Sequence, residues 1–204
     1  MNRSLLLAAC AFTLAACSSP PVHYHTLLAP AMTPATGAPA AFAIDVLPVG
    51  IPAQLDQQQL VVRNGASGLI VQDGERWSGP YADEIRNALA AQLATSLNVR
   101  DVTGLGNASG TTVMRIQVQV RRFDAWVGDK VQFEGTWRLH LAGADSSANS
   151  KGRLLCTSRF EVPARGGYPE MVQAQQLVLR KLATEIAAGA RAWDGASAGT
   201  CPGA

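Results

Sequence analysis

The amino-acid sequence predicts an α+β fold, a two-layer sandwich in which two amphipathic helices pack on one face of a largely antiparallel sheet. Three observations carry that expectation. Residues 113–123, 131–141 and 153–162 alternate apolar and polar side chains with a period of two, and each keeps one polar face, as strands of a sheet wet on one side do. Residues 80–97 and 168–193 instead repeat apolar side chains every three or four positions, the helical period. Two amphipathic helices need an apolar surface to cover, and the dry face of the sheet supplies it.

The chain opens with Met1-Asn2-Arg3-Ser4, runs apolar and uncharged over residues 5–16, and turns polar at Ser18-Ser19-Pro20-Pro21. That is the layout of a secretory signal, and it falls short of the roughly 20 apolar residues a membrane-spanning helix needs. Leu-Ala-Ala-Cys occurs twice, ending at Cys10 and at Cys17, and resembles the lipobox of bacterial lipoproteins, whose cysteine is acylated with fatty chains such as palmitate. Cutting before Cys10 leaves too short an apolar core. Residues 1–16 are therefore assigned as signal peptide and Cys17 as the lipid attachment site. Two or more acyl chains anchor stably. By the rule for such lipoproteins, Ser18 in place of an aspartate directs the chain to the outer membrane, on its periplasmic face.

Residues 17–41 read as a lipidated tether of Pro, Ala, Thr and Ser around one aromatic knot, in which Tyr24 and Leu27 are placed to dock on the domain. The domain is expected over 42–194, with a Gly/Ala/Ser-rich tail over 195–204. Phe42, Ile44 and Val46 alternate and mark a first strand. Two apolar runs around Asn64-Gly65 signal a hairpin, with Gly68 lengthening the turn. In the first helix Tyr81, Ile85, Ala88, Leu89, Leu93 and Leu97 share a face. Pro80 suits its first position, and Asp83 and Glu84 lie where the helix dipole favours anions. The long strands follow, with Met114, Ile116, Val118 and Val120, then Val131, Phe133, Trp137, Leu139 and Leu141, then Leu154, Cys156, Phe160 and Val162 facing inward. Residues 127–130 turn the first of these into the second, and a polar loop over 142–152 leads to the third. The second helix starts near Pro169 and aligns Val172, Leu179, Leu182, Ile186 and Ala190.

A formal net charge of +2 with 16% charged residues is too little for a nucleic-acid-binding surface. Without the leader three cysteines remain. If Cys17 is acylated, Cys156 and Cys201 either pair as a disulfide, stapling the tail to the domain, or stay as two thiols.

The chemistry-bearing residues are sparse. His23 and His25 flank Tyr24 with no cysteine or carboxylate cluster at ligand spacing, so no metal is expected. His140 alternates with Arg138 on a polar strand face and reads as solvated. No G-x-S-x-G occurs, and Gly-Leu-Gly-Asn-Ala-Ser-Gly follows a helix and precedes a strand, the reverse of a phosphate-binding loop. Asp45, Asp124 and Glu134 read as isolated acids with no obvious partner, so paired-carboxylate catalysis cannot be argued from them. Neither a catalytic residue nor a cofactor is expected. Trp137 is in phase with Val131 and Phe133 and belongs to the core. Trp77, between a polar run and a helix start, either covers that start as a hydrophobic staple or joins Arg76 as a partner anchor.

The lipobox with Tyr24-x-x-Leu27, the Arg76-Trp77 pair with Pro80 before a leucine-rich helix, and the segments 118–124, 131–139 and 172–187 together resemble the ABC-type transport auxiliary lipoproteins over nearly the whole mature chain. Ser78-Gly79 and the Cys156/Cys201 pair depart from that pattern. The resemblance implies a non-enzymatic outer-membrane lipoprotein that works with a periplasmic MCE (mammalian cell entry) domain protein and an inner-membrane permease in lipid trafficking and envelope integrity. It matches Tyr24, Leu27, Arg76, Trp77, Phe123 and Trp137 to recurrent family positions.

Two functions compete. A docking subunit needs a protein-binding surface and can self-associate into a homo-oligomer through exposed sheet edges. A carrier enclosing an acyl chain needs a deep apolar cavity between helices and sheet. Two helices over one sheet barely suffice to fill a core, which favours docking.

Overall fold

The computed structural model describes residues 21–30, 38–105, 112–142, 153–193 and 199–202. The leader, Cys17, most of the 142–152 loop and part of the 103–110 loop lie outside them. The strands are β1 (His23–His25), β2 (Ala43–Val46), β3 (Gln59–Asn64), β4 (Gly68–Trp77), β5 (Val113–Ala125), β6 (Lys130–Ala142) and β7 (Leu154–Pro163), and the helices are α1 (Tyr81–Leu97) and α2 (Tyr168–Ala192).

The fold is α+β, with both helices over the apolar face of a four-stranded sheet ordered β2-β5-β6-β7. Instead of joining that sheet, the β3–β4 hairpin forms a second one, ordered β1-β4-β3. Two pairings, β2 with β5 and β1 with β4, are parallel. Part of the segment read as a tether lies against the domain. Residues 23–25 add a strand to the domain, and Leu27 is 1% exposed in its core.

Strand β6 alternates buried and half-buried residues from Lys130 to Leu139, as its pattern requires. Strand β5 changes phase where its register to β6 shifts between Val120 and Arg122. The extra residue is a bulge, which turns Phe123 inward after Val120 rather than Arg122. The β3–β4 turn is Gly65-Ala66-Ser67, with Gly65 at φ 63°.

Pro80 sits one residue before α1, where its carbonyl accepts the N–H groups of Asp83 and Glu84 at 2.9 and 3.0 Å. Asn98, at φ 53°, closes the helix in the left-handed conformation that asparagine tolerates. At the start of α2 the Gly167 N–H donates to Glu170 Oε2 at 2.8 Å. Near its end Gly189 lies against β6 and β7, where an added Cβ would stand 3.0 Å from the Trp137 ring and 3.1 Å from Leu154.

The core runs continuously from Leu27 through both helices to Trp193. Each large side chain buried there contributes about 1.5–3 kcal/mol relative to exposure. Trp137 needs a polar partner as well, because its indole N–H is buried. It donates to Ser158 Oγ at 2.9 Å, and the Ser158 hydroxyl donates to the Glu185 carboxylate. Cys156 and Cys201 are disulfide-bonded, which fastens residue 201 to β7.

Candidate functional site

Three surfaces bear on function: the N-terminal root, the outward row of the small sheet, and the wet face of the large sheet.

At the root, Glu84 turns inward from the first turn of α1 and is buried. Its Oε2 accepts Thr26 Oγ1 at 2.7 Å and the Leu27 N–H at 2.8 Å, and its Oε1 accepts Ser78 Oγ at 2.5 Å. Ser78 thus has a defined partner. Gln176 Nε2 donates to the Thr26 carbonyl at 3.0 Å and ties the same segment to α2. Two residues toward the N-terminus, His25 Nε2 meets Glu75 Oε2 at 2.5 Å and His23 Nδ1 meets Glu75 Oε1 at 3.0 Å. Burial acts to raise the Glu75 pKa, but the hydrogen bonds and charge of His25 and His23 outweigh it and hold the carboxyl below its ordinary value. The histidines therefore do have a carboxylate neighbour, although they form no cluster of three metal-ligating groups among the described residues. The carboxylate comes from β4, fifty residues on, which local spacing does not reveal.

The alternation of β4 separates Arg76 from Trp77. Trp77 is 3% exposed and stacks on Tyr81 with ring centroids 4.7 Å apart. It covers the start of α1 and is no surface anchor, which corrects half of the expected partner-binding pair. From Tyr81 the aromatic contacts continue to Phe123 at 6.0 Å and on to Phe133 at 5.3 Å. Burial, with the Asp124 charge adding to it, raises the Tyr81 pKa well above the ordinary phenol value. Phe123 and Trp137 are likewise core residues. Arg76 is half-buried on the opposite face, beside Tyr24, which is 61% exposed.

The wet face of the large sheet carries ionic rows. Asp45, Asp124 and Glu134 are not isolated: Asp124 Oδ2 lies 2.9 Å from Arg63 Nη2, Asp45 Oδ2 lies 3.7 Å from Arg115 Nε, and Glu134 Oε1 lies 3.2 Å from Arg159 Nη2. The Arg159 hydrogen bond holds the Glu134 carboxyl below its ordinary pKa. A hollow of about 280 Å³ opens between Arg122, Glu134, Arg159 and Glu161, and another of about 220 Å³ between Arg115, Arg138, Arg153 and His140. His140 is half-buried rather than solvated, and burial first, then these three arginines, lower its pKa. Acids and bases pair across strands around the first hollow, whereas the second is lined by cationic side chains.

The core aromatics pack closely between helices and sheets. The space enclosed by Leu55, Val61, Trp77, Tyr81, Phe123 and Gln175 amounts to about 10 Å³. That is at the lower limit for one water molecule.

The described residues form an α+β domain fixed at its N-terminal root and polar across its open sheet face. Its family follows from comparison. The chain belongs to the ABC-type transport auxiliary lipoprotein component family, whose model matches residues 25–187. It is 28% identical over 189 residues to the intermembrane transport lipoprotein PqiC of Escherichia coli K12, covering 89% of this chain and 94% of that protein, and equally similar to PqiC of Shigella flexneri. The fold is shared with a crystal structure of an uncharacterized protein (TM-score 0.58, 19% identity, 83% of this chain and 98% of the other). It is also shared with protein XCC0632 from Xanthomonas campestris (TM-score 0.56, 15% identity, 82% and 93%). The family is one of transport auxiliary lipoproteins, not of enzymes. Among the described residues no helix is long and apolar enough to cross a membrane.

Proposed function

We propose that this chain is the outer-membrane-anchored docking subunit of an MCE-type intermembrane lipid transport system. Held by acyl chains on Cys17 at the periplasmic face, it aligns the periplasm-spanning MCE-domain protein, which an inner-membrane permease serves from the other side, and so supports envelope integrity. The likeness to intermembrane transport lipoproteins along 89% of the chain supports the system. The close packing of the core aromatics supports the role within it, because a lipid carrier needs an enclosed apolar space of some hundreds of Å³ and the space between Leu55, Val61, Trp77, Tyr81, Phe123 and Gln175 is about 10 Å³. Tyr24 and Arg76 form the proposed contact with the partner, since they stand outward beside the root.

Lipid extraction from the purified, acylated protein tests the choice. Docking predicts only the covalent chains on Cys17. Stoichiometric non-covalent lipid retained through detergent exchange would favour the carrier.

A further inference from the structure

The β3–β4 hairpin carries a surface that the docking role does not use. Leu69, Ile70 and Val71 are consecutive in β4 and are 42%, 42% and 40% exposed. Neighbouring strand residues face opposite ways, so both sides of this ribbon present apolar groups to the outside. Sheet edges are ordinarily protected by charge, proline or a covering element. Here β1 pairs only with residues 75–77 of β4, and no described strand covers that edge from Gly68 to Gly74. Between residues 61 and 72 the single charged side chain is Arg63, and Asp124 neutralises it at 2.9 Å. The tip itself, Gly65-Ala66-Ser67, is uncharged. Trp126 of the adjacent β5–β6 turn donates its indole N–H to the Gly65 carbonyl at 3.3 Å, with Lys130 Nζ 5.8 Å from its ring centroid and Val127 exposed beside it. A tryptophan beside a lysine at the border of an apolar patch is the composition of a membrane-interface belt.

Chain direction identifies what covers this patch. Strand β1 runs parallel to β4 with His23 beside Glu75, which brings Pro21 level with Asp73, and the Pro21 carbonyl lies close to Gly74. Followed toward its N-terminus, the chain heads for the hairpin tip. Cys17 is four residues before Pro21, so the anchor lies at most about 14 Å from Pro21. From the level of Asp73 to Gly68 the hairpin extends about 17 Å in the same direction. The root is bonded to Glu75 and Glu84 and cannot pay out further length.

We infer that the distal half of the β3–β4 hairpin, with Leu69, Ile70, Val71 and Trp126, rests in the headgroup region of the bilayer that holds the acyl chains. Anchor and hairpin then form two contacts that fix the orientation of the domain on the membrane. This rests on the reading of Cys17 as the acylated residue.

With Cys17 acylated and Cys156 bonded to Cys201, Ile70→Cys offers one free thiol for an environment-sensitive fluorophore. The full acylated chain is reconstituted into phosphatidylethanolamine/phosphatidylglycerol vesicles, with Leu69→Cys as a second label site and Ala188→Cys, exposed near the far end of α2, as control. The expected result is a blue-shifted emission at 69 and 70, quenched at least twofold more by nitroxide-bearing lipid than at 188. Emission at 69 and 70 as water-like as at 188, on vesicle-bound protein, overturns the inference and leaves the anchor intact. A blue shift without lipid quenching also overturns it, in favour of a second protein strand on the β4 edge. An intact mass without acyl chains, with the protein off the vesicles, sinks the anchor reading and this inference with it.

Discussion

The Glu84 carboxylate accepts the backbone N–H of Leu27 at 2.8 Å across 57 residues of sequence. That bond, with those from Thr26 and Ser78, makes the N-terminal segment at Thr26 and Leu27 part of the domain. Glu84→Ala leaves a buried backbone donor unpaired, and a hydrogen bond to a charged group is worth about 1.5–3 kcal/mol. In a domain of this size about 1 kcal/mol moves Tm by about 2–4 °C. Thermal unfolding should fall by roughly 3–12 °C on those two scales, and amide exchange at Leu27 should rise first.

The Glu75 carboxyl has a folded-state pKa below its ordinary 4.5. A depressed carboxylate contributes stability that is present above its unfolded value and is lost as pH falls through the folded one. Stability should therefore decline on acidification below about pH 4.5, the unfolded reference, with β1 detaching in that range. Glu75→Gln should flatten this acid limb in a urea-unfolding series at stepped pH.

How much of this was legible in sequence depends on the range of each cause. The helices and β6 were readable because their periods are local: Ile85, Leu89 and Leu93, or Val131, Phe133 and Trp137, fall on one face whatever lies around them. The three-residue β1 has no period to read, and its partner β4 lies some fifty residues away. The bulge at Arg121 and Arg122 reverses an alternation that looked uninterrupted. Asp45, Asp124 and Glu134 looked isolated because their arginines are set by strand register and by packing between sheets. Trp77 was ambiguous in sequence, but the phase of β4 turns it inward and leaves Arg76 outside.

Ser158 links the buried Trp137 indole to Glu185. Ser158→Ala removes an acceptor from a buried donor at a cost of about 1–3 kcal/mol. Chemical unfolding should show a lower midpoint with an unchanged m-value.

The disulfide spans 45 residues. In the chain-entropy model a loop of that length stabilises the fold by about 4 kcal/mol. Cys201→Ala, or reduction of the native protein, should lower the unfolding free energy by up to that amount, and wild-type protein should gain two mass units on reduction.

Partner capture tests the central claim most directly. With a photo-crosslinker in place of Tyr24, the acylated protein is irradiated in intact envelopes and recovered in mild detergent. The account predicts a covalent adduct with a periplasmic MCE-domain protein that weakens severalfold when Arg76→Ala is added. Recovery of the acylated chain with no such adduct and no MCE-domain protein bound would contradict it.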